Sequence, residues 1–242
     1  MVKRRLFVCG MMLLGSWVFF RLALWSWHRA MEHEPPFYRA ALRLPPEQQQ
    51  PHGEEFEEQL LSLHNQLRSE QHWSIVITDQ QINAWLAVDL PQKFPELLPE
   101  GVSDPRVAIE PDGIRLAFRY QSDTWEAVIT VTLEPFLTDQ PDELAVRFTG
   151  LRAGLVPLSF EPFLEAIREA AAELEIPIRW GQSQGSPVAV ATLARSGVSE
   201  AWKTVYLESI QLRSGELYLA GRTEPKPTHV VSVAAQNRTD HH

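Results

Sequence analysis

A single cysteine, Cys9, is the whole thiol content of this 242-residue chain. That excludes an internal disulfide, a cysteine-rich zinc site and a cysteine nucleophile anywhere beyond the N-terminal segment. Basic residues are scarce after the start. Residues 1–30 hold five (Lys3, Arg4, Arg5, Arg21 and Arg29) and no acid, which leaves 17 bases against 31 acids for the remainder. A body that acidic repels phosphate backbones, so no nucleic-acid partner is expected. Metalloprotease and nucleotide-binding signatures are missing too: none of the eight histidines belongs to HExxH, and there is no P-loop or G-x-G-x-x-G. What is present is 44% hydrophobic, enough for a folded core and too much for a disordered chain.

The longest apolar run follows Lys3, Arg4 and Arg5 and extends from Leu6 to Trp27 with one charge, Arg21. As a helix it would be roughly 33 Å long, the thickness of a bilayer core with slight tilt. The basic cluster keeps the N-terminus cytoplasmic, and Trp25 and Trp27 suit the outer interface. Arg21 lies near that outer end, where its side chain can snorkel. A cleaved signal peptide fits worse, because WSWHRAMEHE offers only Ala30 before a cut, with His28 at the −3 position. Cys9 follows Val8 at the wrong end of the run for a lipoprotein signal and reads as a lipid-facing residue. The expectation is a single-pass protein anchored through residues 6–27, with its main domain on the extracytoplasmic side (periplasmic in a bacterium).

Four parts follow from composition: a basic end with its anchor over 1–30, a Pro/Gln-rich linker over 31–52, an α+β domain over 53–224 and a disordered tail over 225–242. The tail carries a weak glycosylation sequon, Asn237-Arg238-Thr239. Within the domain, Phe56, Leu60, Leu63 and Leu67 mark a helix over Gly53–His72, with acidic residues at its favourable end. Trp73–Ile77 alternates as a strand. Thr78 and Gln81 form a capping box for a helix whose apolar face is Ile82, Trp85 and Leu86 and which ends near Asp89, ahead of Pro91.

Strands then meander. Val107–Ile109 and Ile114–Tyr120 flank a Glu-Pro-Asp-Gly turn, and Thr124–Glu134 alternates Trp125, Ala127, Ile129, Val131 and Leu133 with mostly polar residues. Leu144–Leu151 continues the pattern. Such alternation predicts a sheet with one buried and one wet face. Ser159 caps an amphipathic helix over 160–175 with the stripe Phe160, Phe163, Leu164, Ile167, Ala171 and Leu174. Ile176–Trp180 and Pro187–Leu193 read as strands, and Val205–Leu212 with Glu216–Gly221 as a closing hairpin. The fold class is α+β: an N-terminal transmembrane helix, then a curved antiparallel sheet packed on amphipathic helices.

Candidate chemistry is thin. Asp89, which closes a helix beside Trp85, is the one carboxylate to watch, and a cap or turn residue is the better reading of it. Glu165 and Glu169 share a wet helix face. Arg115, Arg119 and Arg147 suit either an anionic headgroup or cross-strand pairing with Glu126 and Glu134. No catalytic residue, metal ligand or cofactor is expected.

The stretch Ile75–Leu193 opens with ITDQQINAWLAVDLP, where Ile82-Asn83-Ala84 lies on the capped helix. This resembles the T-x-x-Q-I-N-A-x-L-A start of small bacterial envelope domains related to tubular lipid-binding (TULIP-like) proteins. Val156-Pro157-Leu158, the helix after it, Ile178-Arg179-Trp180 and Ser186-Pro187-Val188 are similar to a family of uncharacterised bacterial single-span envelope proteins. The resemblance implies a lipid or other apolar ligand held between sheet and helix. The chain departs from the lipoprotein members in having an apolar span in place of a lipid-modified cysteine, and its helices are short for a fully tubular domain.

Two functions of different class follow. One is a non-enzymatic, membrane-anchored domain binding a lipid or other apolar ligand through Trp85, Trp125, Ile129, Val131, Phe163 and Ile167. The other is a scaffold with a solid core and no ligand, partnered by a protein of an envelope assembly. In either, the helix from Phe160 is expected to face the strand from Trp125 to Leu133.

Overall fold

The computed structural model describes residues 30–225 apart from 32, 44, 70–71, 141, 174–176 and 193–202. The expected anchor over 6–27, Cys9, Leu174, the sequon and the tail beyond Pro225 lie outside the described residues. Among the described residues, no helix is long and apolar enough to cross a membrane.

The fold is α+β, with every strand pairing antiparallel. Its elements run α1 (Pro36–Leu42), α2 (Pro46–Ser69), β1 (His72–Thr78), α3 (Asp79–Lys93), a 3-10 turn (Pro95–Leu97), β2 (Val102–Glu110), β3 (Gly113–Gln121), β4 (Glu126–Leu137), β5 (Glu143–Ala153), β6 (Val156–Pro157), α4 (Phe160–Glu173), β7 (Ile178–Ser183), β8 (Ser186–Thr192), β9 (Lys203–Arg213) and β10 (Glu216–Pro225). The strands form two sheets rather than one. The larger has the order β2-β3-β4-β5-β8-β7, with β6 attached to β5. The smaller has the order β1-β10-β9. The closing hairpin therefore pairs with the first strand and not with the meander.

Three predicted features are present as expected. The capping box is complete: Thr78 Oγ1 accepts from the Gln81 N–H and Gln81 Oε1 from the Thr78 N–H. The Glu-Pro-Asp-Gly turn closes a two-residue hairpin in which Glu110 pairs with Gly113. Ser159 Oγ accepts from the Glu161 N–H at the start of α4.

Three expectations need correction. First, the 31–52 linker is helical well beyond the one or two turns that Tyr38–Leu42 alone suggests, over α1 and the start of α2. Pro36 and Pro46 each stand at a helix start, where a proline costs nothing. Glu47 and Gln48–Gln50 are good helix formers, so α2 tolerates Pro51. Second, α3 passes Pro91 and ends at Lys93. Its last turn is held by the Phe94 N–H donating to Leu90 O and by Lys93 pairing with Asp89 at 2.8 Å. Third, α3 buries Gln81, Asn83, Ala84 and Leu90, while Ile82, Trp85 and Leu86 are only half-buried. The helix is gripped between α2 and β2, so its innermost face is set by that wedge and not by its most apolar residues.

The main core lies on one face of the large sheet. Ala127, Ile129, Val131, Phe148, Leu151, Ala153 and Ala189 form its floor, and Leu164 of α4 covers it. The opposite face is not uniformly wet. Tyr38 of α1, fully buried, lies against Ala117 and Val128. A further cluster joins Leu67 of α2, Trp73 of β1, and Val205 and Leu207 of β9, with Leu144 of the large sheet packed against it. The two sheets meet there.

Candidate apolar site between sheet and helix

The alternation along β4 places Ala127, Ile129, Val131 and Leu133 on one side, and the residue just before the strand, Trp125, continues that ladder into the same cluster. Phe160, Phe163, Leu164 and Ile167 recur at helical spacing along α4 and meet this ladder. The predicted facing of helix and strand is thus present. Phe148 of β5 anchors it: its ring lies 6.1 Å from Phe163, edge-on, and 5.9 Å from Trp180 of β7. Arg168 on α4 sits 5.1 Å over the Trp180 ring and pairs with Glu165 at 2.8 Å, which fastens the outer flank of the helix to β7. The Tyr120 and Trp125 rings meet at a tilt, 5.2 Å apart, at the margin.

Five of the six predicted ligand-binding residues, Trp125, Ile129, Val131, Phe163 and Ile167, therefore share one apolar layer. Trp85 does not. It lies on α3 between Phe56 and Phe94, each ring 6.0 Å away. A helical apolar position tells which residues are inward but not which layer receives them. Within the shared layer, Val131 is 1% exposed and Ile129 6%, so a water-sized probe hardly touches either. Trp125, Phe163 and Ile167 at the rim remain half-buried.

Among the described residues, clefts open elsewhere. One of about 400 Å³ is lined by Val76, Gln211, Arg213, Glu216 and Tyr218 on the small sheet. Another of about 460 Å³ runs along Gln140, Asp142, Glu143, Pro177, Ile178, Arg179 and Thr192. Both carry charged walls and neither contains any of the six predicted residues.

The remaining candidates are tied into ion pairs. Arg115 contacts Glu110 at 2.6 Å, Arg119 contacts Glu126 at 2.8 Å and Glu34 at 3.0 Å, and Arg147 contacts Glu134 at 2.9 Å. The cross-strand reading of these arginines thus describes them better than a headgroup site. Asp89 is neither cap nor turn residue but a mid-helix partner of Lys93, which also bonds Glu57 and so ties α3 to α2. Lys93, together with the Trp85 indole, holds the Glu57 carboxyl below its usual range. Among the described residues, no group of three or more His, Cys, Asp or Glu is placed to hold a metal ion.

Sequence reasoning missed a buried polar cluster on the far face. The Tyr38 hydroxyl donates to Asp104 O at 3.0 Å, and burial, reinforced by Asp104, pushes its pKa up to about 12. Asp104 has φ +50° in a bulge between Ser103 and Arg106, and Arg106 is buried with Nη1 donating to Pro105 O. The one local signal was Asp104-Pro105, which reads as a turn and not as a bulge carrying a buried guanidinium.

Comparison with protein-family models, with curated proteins and with solved structures finds no match to this chain.

Proposed function

We propose that the chain is a single-span membrane protein whose extracytoplasmic α+β domain binds a lipid or other apolar ligand without catalysing a reaction. In this reading residues 6–27 are the anchor and the N-terminus is cytoplasmic. The observation that carries the ligand site is the apolar layer itself. Trp125, Phe163 and Ile167 leave a half-exposed apolar rim around a buried floor of Ile129 and Val131. Helix α4 rests on that floor chiefly through side chains, so an acyl chain would enter by sliding between helix and sheet and replacing those contacts. The TULIP-like resemblance of the opening motif supports the same reading.

A second reading, a scaffold with a solid core serving an envelope assembly, is favoured by one observation. Val131 and Ile129 are too well covered to border a water-sized void.

A photoreactive benzoylphenylalanine at Phe163, in the full chain purified into detergent without added lipid, separates the two. Irradiation should yield an adduct with the mass of a co-purified lipid. Adducts confined to the chain's own β4 and β5 would favour the scaffold and sink ligand binding.

A further inference from the structure

We propose that the β5–β6 turn, with Leu155 at its tip and Leu158 just beyond β6, rests in the outer interface of the bilayer that holds the chain's own anchor. The proposal rests on the anchor reading above. Its first support is a direct contact. Ala30 O accepts the Leu155 N–H at 2.9 Å, and Met31 packs against the main core. The approach is so close that only glycine fits beside it. Gly154 has φ +57°, and a Cβ there would overlap the Ala30 carbonyl and come within 2.6 Å of Met31 O.

The second support is chain length. Ala30 is three residues past Trp27, the end of the apolar run. Three residues span at most about 10 Å extended and about 4.5 Å as helix. The turn that holds Ala30 is therefore brought within that distance of the membrane surface. The third support is exposure. Leu155 is 54% and Leu158 37% exposed at this one end of the sheet. Paired leucines left in water cost free energy that an interface relieves. The tether and the exposed leucines select the lipid surface as the occupant. The first turn of α4, with Phe160 and Phe163 on the apolar layer, begins two residues after Leu158, so the same end of the domain that meets the membrane carries the rim of the proposed ligand site.

The same pair of strands supplies a control. Leu137 and its partner Leu144 lie at the other end of β4 and β5, and Leu137 is 38% exposed, as bare as Leu158. Along β5 the two ends are about 30 Å apart. The test uses the full chain with Cys9→Ser and a nitroxide spin label on Leu155→Cys, Leu158→Cys or Leu137→Cys, reconstituted into phosphatidylcholine vesicles. Labels at 155 and 158 should collide readily with oxygen and poorly with a water-soluble nickel chelate, the pattern of a lipid environment. The label at 137 should show the reverse. If the chain floats with the vesicles but all three labels are aqueous, the turn does not meet the bilayer and the proposal fails while the anchor stands. If the chain does not float and washes off in alkaline carbonate, both the anchor and the proposal fall.

Discussion

Asn83 and Val107 exchange two hydrogen bonds: Asn83 Nδ2 donates to Val107 O at 2.8 Å, and the Val107 N–H donates to Asn83 Oδ1 at 2.8 Å. The side-chain amide thus behaves as a piece of neighbouring strand and locks α3 onto β2. Because Val107 offers one donor and one acceptor, only one orientation of the amide satisfies both. Asn83 is 7% exposed, so water cannot replace either bond. Asn83→Ala should cost about 1–3 kcal/mol by orphaning two backbone groups of the half-buried Val107. Asn83→Asp should cost more at neutral pH, where a carboxylate faces the Val107 carbonyl, and should recover as acid protonates it. Denaturant melts followed by tryptophan fluorescence at two pH values check both outcomes.

Tyr38 tests whether the Pro-rich segment belongs to the fold. Tyr38→Phe loses only the bond to Asp104 O and should cost about 0.5–1.5 kcal/mol. Tyr38→Ala leaves a cavity against Ala117 and Val128 and should cost about 3–5 kcal/mol. Equal melting of wild type and Tyr38→Ala would show that α1 is not docked.

The apolar layer should respond unevenly. Val131→Ala removes two methyls from a site without access to water and should destabilise by about 1.5–3 kcal/mol. Ile167→Ala removes a larger side chain from the half-exposed rim, and its cost should fall at or below the lower end of the usual range of about 2–5 kcal/mol. If the rim holds a ligand, Ile167→Ala should also weaken an apolar fluorescent probe more than Val131→Ala does. Titration of both variants with such a dye gives the comparison.

Gly221 marks a close approach. A Cβ there would overlap Tyr206 O and lie 2.5 Å from the Trp73 ring, beside the register shift between Ala220 and Gly221. Gly221→Ala should destabilise by about 1–3 kcal/mol, because the neighbour is backbone that must shift. Gly181→Ala, with nothing within 4 Å of its Cβ, should instead be neutral or stabilise by about 0.4–1 kcal/mol. Thermal melts of the two variants should move in opposite directions or differ plainly in size.

Asp79 links the pH of the medium to the junction of the two sheets. Its N–H donates to Gly215 O at 3.0 Å, the Gly215 N–H donates to Ile109 O at 2.8 Å, and the Ile109 N–H donates to Asp79 Oδ2 at 3.4 Å. Burial raises the Asp79 pKa more than the bonds from Ile109 and Gln80 lower it. A raised native pKa means the folded state binds the proton more tightly than the unfolded chain. The resulting stability is complete below the ordinary aspartate value of about 3.9 and is lost as pH rises through the native value. Relative to Asp79→Asn, the wild-type chain should gain stability between neutral pH and pH near 4. A difference that is flat or opposite in sign over this range would show that the carboxyl is not burial-shifted.

Features of short range were legible in the chain. The Thr78–Gln81 box, the turn at Pro111-Asp112 and the alternation from Trp125 to Leu133 each depend on residues within a few positions of one another, where side-chain period and capping chemistry decide the outcome. The facing of Phe163 and Ile167 on Ile129 and Val131 was legible for a related reason: each element has one apolar face, and the two had to be satisfied together. Trp85 escaped the same logic, because α3 is wedged between a helix and a strand and takes Gln81 and Asn83 inward to make specific bonds. Tyr38 was hidden by the prolines around it, whose meaning changes once they stand at helix starts.

The alternating strands, the capped helices, the acidic body and the apolar stripes that must be covered are written in the order of the residues, since they are properties of period and composition. Long-range packing alone sets that β10 pairs with β1 across some 140 intervening residues, that the strands divide into two sheets, and that Ala30 closes on Leu155. Any alternating strand offers the same backbone donors and acceptors, so choosing among partners falls to packing between distant residues. No local pattern records that choice.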